Sequence, residues 1–290
     1  MQYRLSNQQK QEVCIKYERG QNSSQLSQEY GISSVAIIGI LRRRGVEIRP
    51  QTLAQRKHKL WHEAFDKLTP KASYWIGFLF ADGTVTRRTG SPELALVLSE
   101  KDKKHIEKFK KFLKSEHKIT EVNQMTTFGQ QTNRRFSVRS ERLAQRLEDC
   151  GLKPFLESEV IPELFNSRDF WRGVVDGDGH IGIVKNRNSH YPKLELVGGQ
   201  LLMEQFSDYI YRITGKKAKV CRHKSIFRVS YLGKTVIQIV EHLYLNSPIH
   251  LDRKYNAAKN ILNKAVGQTV ESVKWNNSSC LLSESTIHTL

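Results

Sequence analysis

One ten-residue pattern occurs twice in this chain. Tyr74–Gly83 reads YWIGFLFADG and Phe170–Gly179 reads FWRGVVDGDG, and the two align without gaps. Each has an aromatic pair, one further residue, a glycine, three mostly apolar residues, a small residue, then Asp-Gly. Asp82 and Asp178 lie 96 residues apart. That period is too long for a solenoid repeat and suggests two similar halves about a pseudo-two-fold axis. At helical spacing Gly77 and Ala81 share one face, as do Gly173 and Gly177, and small residues so placed let two helices approach closely. Each aspartate then falls at the C-terminal end of its helix, before a glycine (Gly83, Gly179) suited to a left-handed cap. The helix dipole disfavours a carboxylate there, and two side by side repel. Divalent cations would neutralise them, so Mg²⁺ is expected at Asp82 and Asp178, where the halves meet.

The segments downstream of the two copies also repeat. After the first come strands over 84–88 and 93–99, a helix over 102–114, strands over 121–125 and 134–138, and a helix over 141–149. After the second come strands over 180–185 and 193–197, a helix over 201–214, strands over 218–222 and 226–231, and a helix over 235–244. The expected class is α+β.

Charge sets the partner. With 47 Lys+Arg against 29 Asp+Glu the chain carries a formal net charge of +18 and a pI near 9.8, which points to a polyanion, most simply nucleic acid. By position, 1–71 is net +7, 72–265 net +12 and 266–290 net −1. The longest apolar run, Tyr74–Ala81, is far short of the ~18–20 residues of a membrane span. The opening MQYRLSNQQK has no apolar signal region. Cys14, Cys150, Cys221 and Cys280 form no C-x-x-C pair and read as reduced thiols, not as a disulfide frame or zinc site. An intracellular, DNA-associated, non-secreted protein is expected.

Residues 4–49 read as three short helices. Ser6 caps the first, which runs to about Glu18 with Val13, Ile15 and Tyr17 among its apolar residues. Ser23 or Ser24 caps the second, Gln25–Tyr30, and Ser33 or Ser34 opens the third, which ends in Arg42-Arg43-Arg44. The pattern predicts a helix-turn-helix over 1–49, with Arg42, Arg43 and Arg44 toward phosphates; a three-helix bundle without a ligand is the plainer alternative. This stretch resembles the helix-turn-helix of site-specific recombinases and related regulators. Residues 50–69 read as a basic linker, through Arg56, Lys57, His58 and Lys59, or as a solvated connector. The halves are expected over 70–165 and 166–265, with a loosely ordered tail over 266–290.

At the two motifs the sequence resembles the LAGLIDADG homing endonucleases in their single-chain, two-motif form. The resemblance covers about residues 65–262. It implies two αββαββα halves, their four-stranded sheets forming a saddle over duplex DNA and the motif helices forming the central interface. It implies a monomer that cuts both strands of one long site across the minor groove by Mg²⁺-dependent hydrolysis. Two or three divalent ions are expected, with Mn²⁺ substituting and Ca²⁺ binding without turnover. The motif acids carry over to Asp82 and Asp178, with Gly83 and Gly179 adjoining them in the metal site. Asp176 takes an earlier acidic position of the motif, but the first copy has Phe80 there, so Asp176 is given no metal role.

Family members add polar or basic residues near each scissile phosphate. Here the candidates are Glu100 and Lys104 in the first half and Arg253 and Lys254 in the second. The first half departs from the pattern: Leu156 and Glu157 fall at its expected lysine, and Lys153 is the nearest base. Unequal cutting of the strands, nicking and loss of activity all stay open. DNA contacts are expected from outward strand positions: Thr84, Thr86, Arg88, Glu93, Ala95 and Val97, then Lys185, Arg187, Lys193 and Glu195, with Arg134, Arg135, Arg139, Arg222 and Arg228 on or beside later strands. Two other functions fit the same fold: a DNA-binding regulator that has lost catalysis, and an intron maturase that binds RNA. An intein is not expected, since the chain lacks the Cys/Ser start and His-Asn end of splicing chemistry.

Overall fold

The computed structural model describes residues 5–48, 58–87, 90–126, 129–153, 157–186 and 189–265. Contacts divide the chain into two units, 1–59 and 60–290. The predicted contacts Arg88 and Arg187, the linker residues Arg56 and Lys57, the expected-lysine position Leu156 and the tail lie outside the described residues.

The first unit holds α1 (Asn7–Glu18), α2 (Ser23–Tyr30) and α3 (Ser34–Arg43). Ser6 caps α1 in a reciprocal pair with Gln9, as its sequence suggests. The second cap is Asn22, reciprocal with Gln25, and not Ser23 or Ser24; an amide one residue earlier reaches the orphan N–H equally well. Gly31 ends α2 in the left-handed conformation, and Ser33 caps α3. Val13, Tyr17, Leu26, Ile37, Ile40 and Leu41 form the core, while Ile15 stays 41% exposed. Arg42, Arg43 and Arg44 are exposed at the end of α3, with Arg44 donating to the Asn7 carbonyl.

The second unit repeats one element order. The first half comprises α4 (Pro70–Asp82), β1 (Gly83–Thr86), β2 (Glu93–Ser99), α5 (Lys103–Phe112), β3 (Thr120–Thr126), β4 (Gly129–Arg139) and α6 (Glu141–Asp149). After the single turn α7 (Pro162–Phe165), the second half comprises α8 (Arg168–Asp178), β5 (Gly179–Asn186), β6 (Ser189–Gly198), α9 (Gln200–Thr214), β7 (Cys221–His223), β8 (Ile226–Leu232) and α10 (Lys234–Tyr244). Residues 252–265 are again helical. The two antiparallel sheets have matching orders, β1-β2-β4-β3 and β5-β6-β8-β7. Each half is thus αββαββα. Among the described residues no helix is long and apolar enough to cross a membrane.

The motif helices α4 and α8 lie against one another through backbone. A Cβ on Gly77 would collide with the Phe170 carbonyl, one on Gly173 with the Tyr74 carbonyl, and one on Gly177 with the Ala81 methyl. The small residues therefore do what their spacing suggests. Residues 60–69, read as linker, instead belong to the second unit's core. Phe65 is fully buried, Trp61 donates its backbone N–H to Leu113, and Arg146 donates to the Phe65 carbonyl. The apolar residues Leu60, Trp61, Ala64, Phe65 and Leu68 explain this: they supply a face that the neighbouring Lys and His residues obscure in composition.

Candidate metal and nucleic-acid site at the helix interface

α4 and α8 end on Asp82 and Asp178, and each chain passes directly into a strand. Gly83 (φ −81°, ψ 152°) and Gly179 (φ −82°, ψ 157°) are extended, so the expected left-handed caps are not formed. Glycine is needed for space instead. A Cβ at Gly83 would lie 2.6 Å from the Leu79 carbonyl oxygen, and one at Gly179 would strike that of Val175. Both glycines are paired in their sheets, opposite Leu96 and Leu196.

The two carboxylates stand at this interface. Asp82 lies beside Gly177, where a Cβ would be 3.3 Å from Asp82 Oδ2, so the missing side chain leaves room next to the carboxylate. Burial, and then the Asp178 charge, push Asp82 up to about 7, against Arg253 and Lys254. Burial pushes Asp178 up to about 6, against Lys254. Lys254 is itself buried, with Nζ donating to the Val175 carbonyl at 3.4 Å. Burial and the Arg253 charge bring its ammonium down to about 8, against Asp176, Asp82 and Asp178. The aspartates and Lys254 thus share one electrostatic neighbourhood.

Two carboxylates offer hard oxygen donors only. Among the described residues no group of three or more His, Cys, Asp or Glu gathers as a ready-made metal cage. Mg²⁺ is commonly held by one or two carboxylates with waters and substrate phosphates completing its shell, so this donor set fits it.

A neighbouring cleft of about 450 Å³ brings together Glu100, Lys104 and Arg253, three residues singled out from sequence, with Asp102, His105 and Leu251. Glu100 is ion-paired with Arg134, which holds its carboxyl below the usual range. Arg253 Nε donates to both oxygens of Asp102, at 3.2 and 3.0 Å. Asp102 is 8% exposed and its charge adds to that around Asp82. Sequence alone does not single it out, because in SEKDKK it looks like one more solvated charge. Lys153 and Glu157 of the first half are exposed.

Asp176 is fully buried and accepts hydrogen bonds from Tyr74 Oη (2.7 Å), Tyr244 Oη (2.6 Å) and the Leu251 N–H (2.7 Å). Burial raises its pKa and these donors oppose the rise. The hydroxyls of Tyr74 and Tyr244, on fully buried side chains, form this cluster, and nothing local in the sequence marks them as its donors.

Register sorts the strand candidates, since directly paired residues share a face. Thr84, Ala95 and Ser137 pair in a row, as do Thr86, Glu93 and Arg139, and Val97 pairs with Arg135. Ala95 lies on this outer face but is 4% exposed, a small side chain covered by its neighbours. Arg134 has the opposite parity, beside Leu98, and pairs with Glu100 and Glu121 at the margin. In the second sheet His180, Glu195 and Ser230 form a row, flanked by Lys193 and Arg228. Glu195 takes Lys193 (2.7 Å), the Ser230 hydroxyl (3.0 Å) and Arg228 (3.8 Å). Lys185 shares the parity of Ile181 and Ile183, and Arg222 that of Phe227, so neither joins the Lys193–Arg228 face. The period of two is the reason: a candidate off by one position changes sides.

Among solved structures, the chain is similar to the I-SmaMI LAGLIDADG homing endonuclease bound to cleaved DNA, at 14% identity over 71% of this chain and 91% of that one, with a TM-score of 0.49. It is also similar to the homing endonuclease I-WcaI bound to its DNA recognition sequence, at 10% identity over 70% and 92%, TM-score 0.49. A third is the LAGLIDADG meganuclease I-AabMI bound to uncleaved DNA, at 13% identity over 71% and 92%, TM-score 0.45. No family model matches the chain, and no curated protein does.

Proposed function

We propose that this chain is a site-specific DNA endonuclease of the LAGLIDADG kind, hydrolysing phosphodiesters with divalent cations held by Asp82 and Asp178. One observation carries the reading: two half-buried carboxylates end paired, backbone-packed helices, raised to about 7 and 6, in a chain of net charge +18. A binder of DNA gains nothing from repelling acids beside a polyanion; a hydrolase that needs cations at the phosphate does. When bound, the cations neutralise charge on the attacked and leaving oxygens. The chain's own groups do the rest. Asp82 and Asp178 fix where that charge sits, on backbone-packed helices that cannot splay. Lys254, with a pKa of about 8, is poised to exchange a proton near the working pH. Arg253, oriented by Asp102, and Lys104 line the cleft that would take the phosphate backbone. Thr84, Thr86, Lys193 and Arg228 are the groove contacts on the outer faces. The 1–59 unit serves as a helix-turn-helix arm, its exposed Arg42, Arg43 and Arg44 toward phosphates.

A second reading is a DNA-binding regulator without catalysis. The basic side chains that act on Asp82 are Arg253 and Lys254, both from the second half, while Glu157, at the first half's expected lysine position, and Lys153, the nearest base, are exposed. The deciding experiment offers purified full-length chain a library of DNA from its own genetic neighbourhood, in Mg²⁺ or in Ca²⁺. Cutting at one long site in Mg²⁺, with binding alone in Ca²⁺, supports the nuclease. Specific binding without a cut in Mg²⁺ leaves the regulator, and tight RNA binding with promoted splicing supports a maturase.

A further inference from the structure

We propose that Asp176 is a positioning residue for Lys254, a role that rests on the nuclease reading above. The link runs through one peptide. Asp176 Oδ2 accepts the Leu251 N–H at 2.7 Å, and the Leu251 carbonyl accepts the N–H groups of Lys254 and Tyr255 at 3.0 Å. Leu251 therefore starts the helical run 252–265, and its place is set by the carboxylate. Lys254 Nζ returns to the carbonyl of Val175, the residue before Asp176. The loop leading in is tied to the same helix. Buried Arg172 donates to the carbonyls of Leu243 (3.0 Å) and Ile249 (2.8 Å). The two tyrosines, at 2.7 and 2.6 Å, donate to Oδ2 and Oδ1 of the same carboxylate and fix its plane between α4 and α10.

An ordinary buried carboxylate could hold the fold and do nothing more. Its position argues for a narrower task. The corresponding residue of the first motif is Phe80, which packs edge-on against Phe170 at 5.2 Å. The fold is therefore built with an apolar residue at this position in one half. The carboxylate appears where a lysine-bearing segment must be anchored beside the aspartates.

A double-mutant cycle tests this with full-length chain and its cleaved DNA site in single-turnover assays. Asp176→Asn is expected to slow cleavage by ~10²-fold, the scale of an ångström-sized misplacement of a reacting group. DNA affinity in Ca²⁺ should stay within about 3-fold, since no DNA-facing group changes. In a Lys254→Met background the same Asp176→Asn change should cost less than about 2-fold more, because the residue it positions is gone. Tyr244→Phe, which leaves the Leu251 bond in place, gives the same non-additivity from a smaller loss and serves if Asp176→Asn does not fold. Multiplying losses in the double mutants overturn the positioning role while leaving the nuclease reading intact. Wild-type chain that binds its site but cuts neither strand defeats both.

Discussion

Replacing Asp82 by Asn should make the cation-free protein more stable at alkaline pH while removing cleavage. Asp82 ionises near 3.8 in an unfolded chain and near 7 here. Between those values the unfolded state holds fewer protons than the folded one, so stability falls as pH rises from about 4 to 7 and stays low above. The gap is worth ~4 kcal/mol by pH 8. An amide of the same shape removes that cost but leaves its own polar atoms buried, at ~1–3 kcal/mol. The net gain is then about 1–3 kcal/mol, or roughly 3–10 °C in melting temperature for a unit of this size. The assay is thermal unfolding of wild type and Asp82→Asn with chelator, at pH 5 and pH 8. The variant should lead at pH 8 and lose its lead at pH 5, where Asp82 is already protonated. Adding Ca²⁺ at pH 8 should raise the wild type and leave the variant nearly unmoved. An equal difference at both pH values, or a variant less stable at pH 8, would refute the account of two carboxylates held charged at a cost.

Gly173→Val should destabilise the second unit by about 3 kcal/mol or more, since its Cβ meets backbone that cannot yield; chemical denaturation reads this directly. Lys254→Met should lower the single-turnover cleavage rate by ~10²–10⁴-fold without loss of DNA binding in Ca²⁺. Removing residues 1–59 should weaken DNA binding and reduce the slope of log affinity against log salt, while cleavage at saturating protein persists.

The repeat is legible in the sequence because it is written in residue size and spacing. Gly77, Gly173 and Gly177 must be small, because a Cβ on each would strike the facing helix. The matching element order of the two halves follows from the same duplication, and β2 falls on Glu93–Ser99 as its alternating leucines indicate. Less is legible where a long-range partner decides. Nothing local marks Asp102 as buried, since its partner Arg253 is 151 residues away. Asp176 draws its donors from residues 102, 68 and 75 positions distant. Gly83 and Gly179 depart from the expected conformation for a related reason. Asp-Gly after a helix suggests a left-handed cap, but a strand that begins at once needs extended backbone, and the glycine answers a close carbonyl.

Duplication has left the two outer sheet faces unalike. One carries Glu93 against Arg135 with threonines beside it; the other carries Glu195 shared by Lys193, Arg228 and Ser230. A duplex laid across them would meet different side chains on its left and right arms. On the proposed nuclease reading such a surface would have a reading direction: turning the DNA end for end would present each arm to the wrong partners. A palindromic target is the one kind of sequence on which such a surface cannot express its full discrimination.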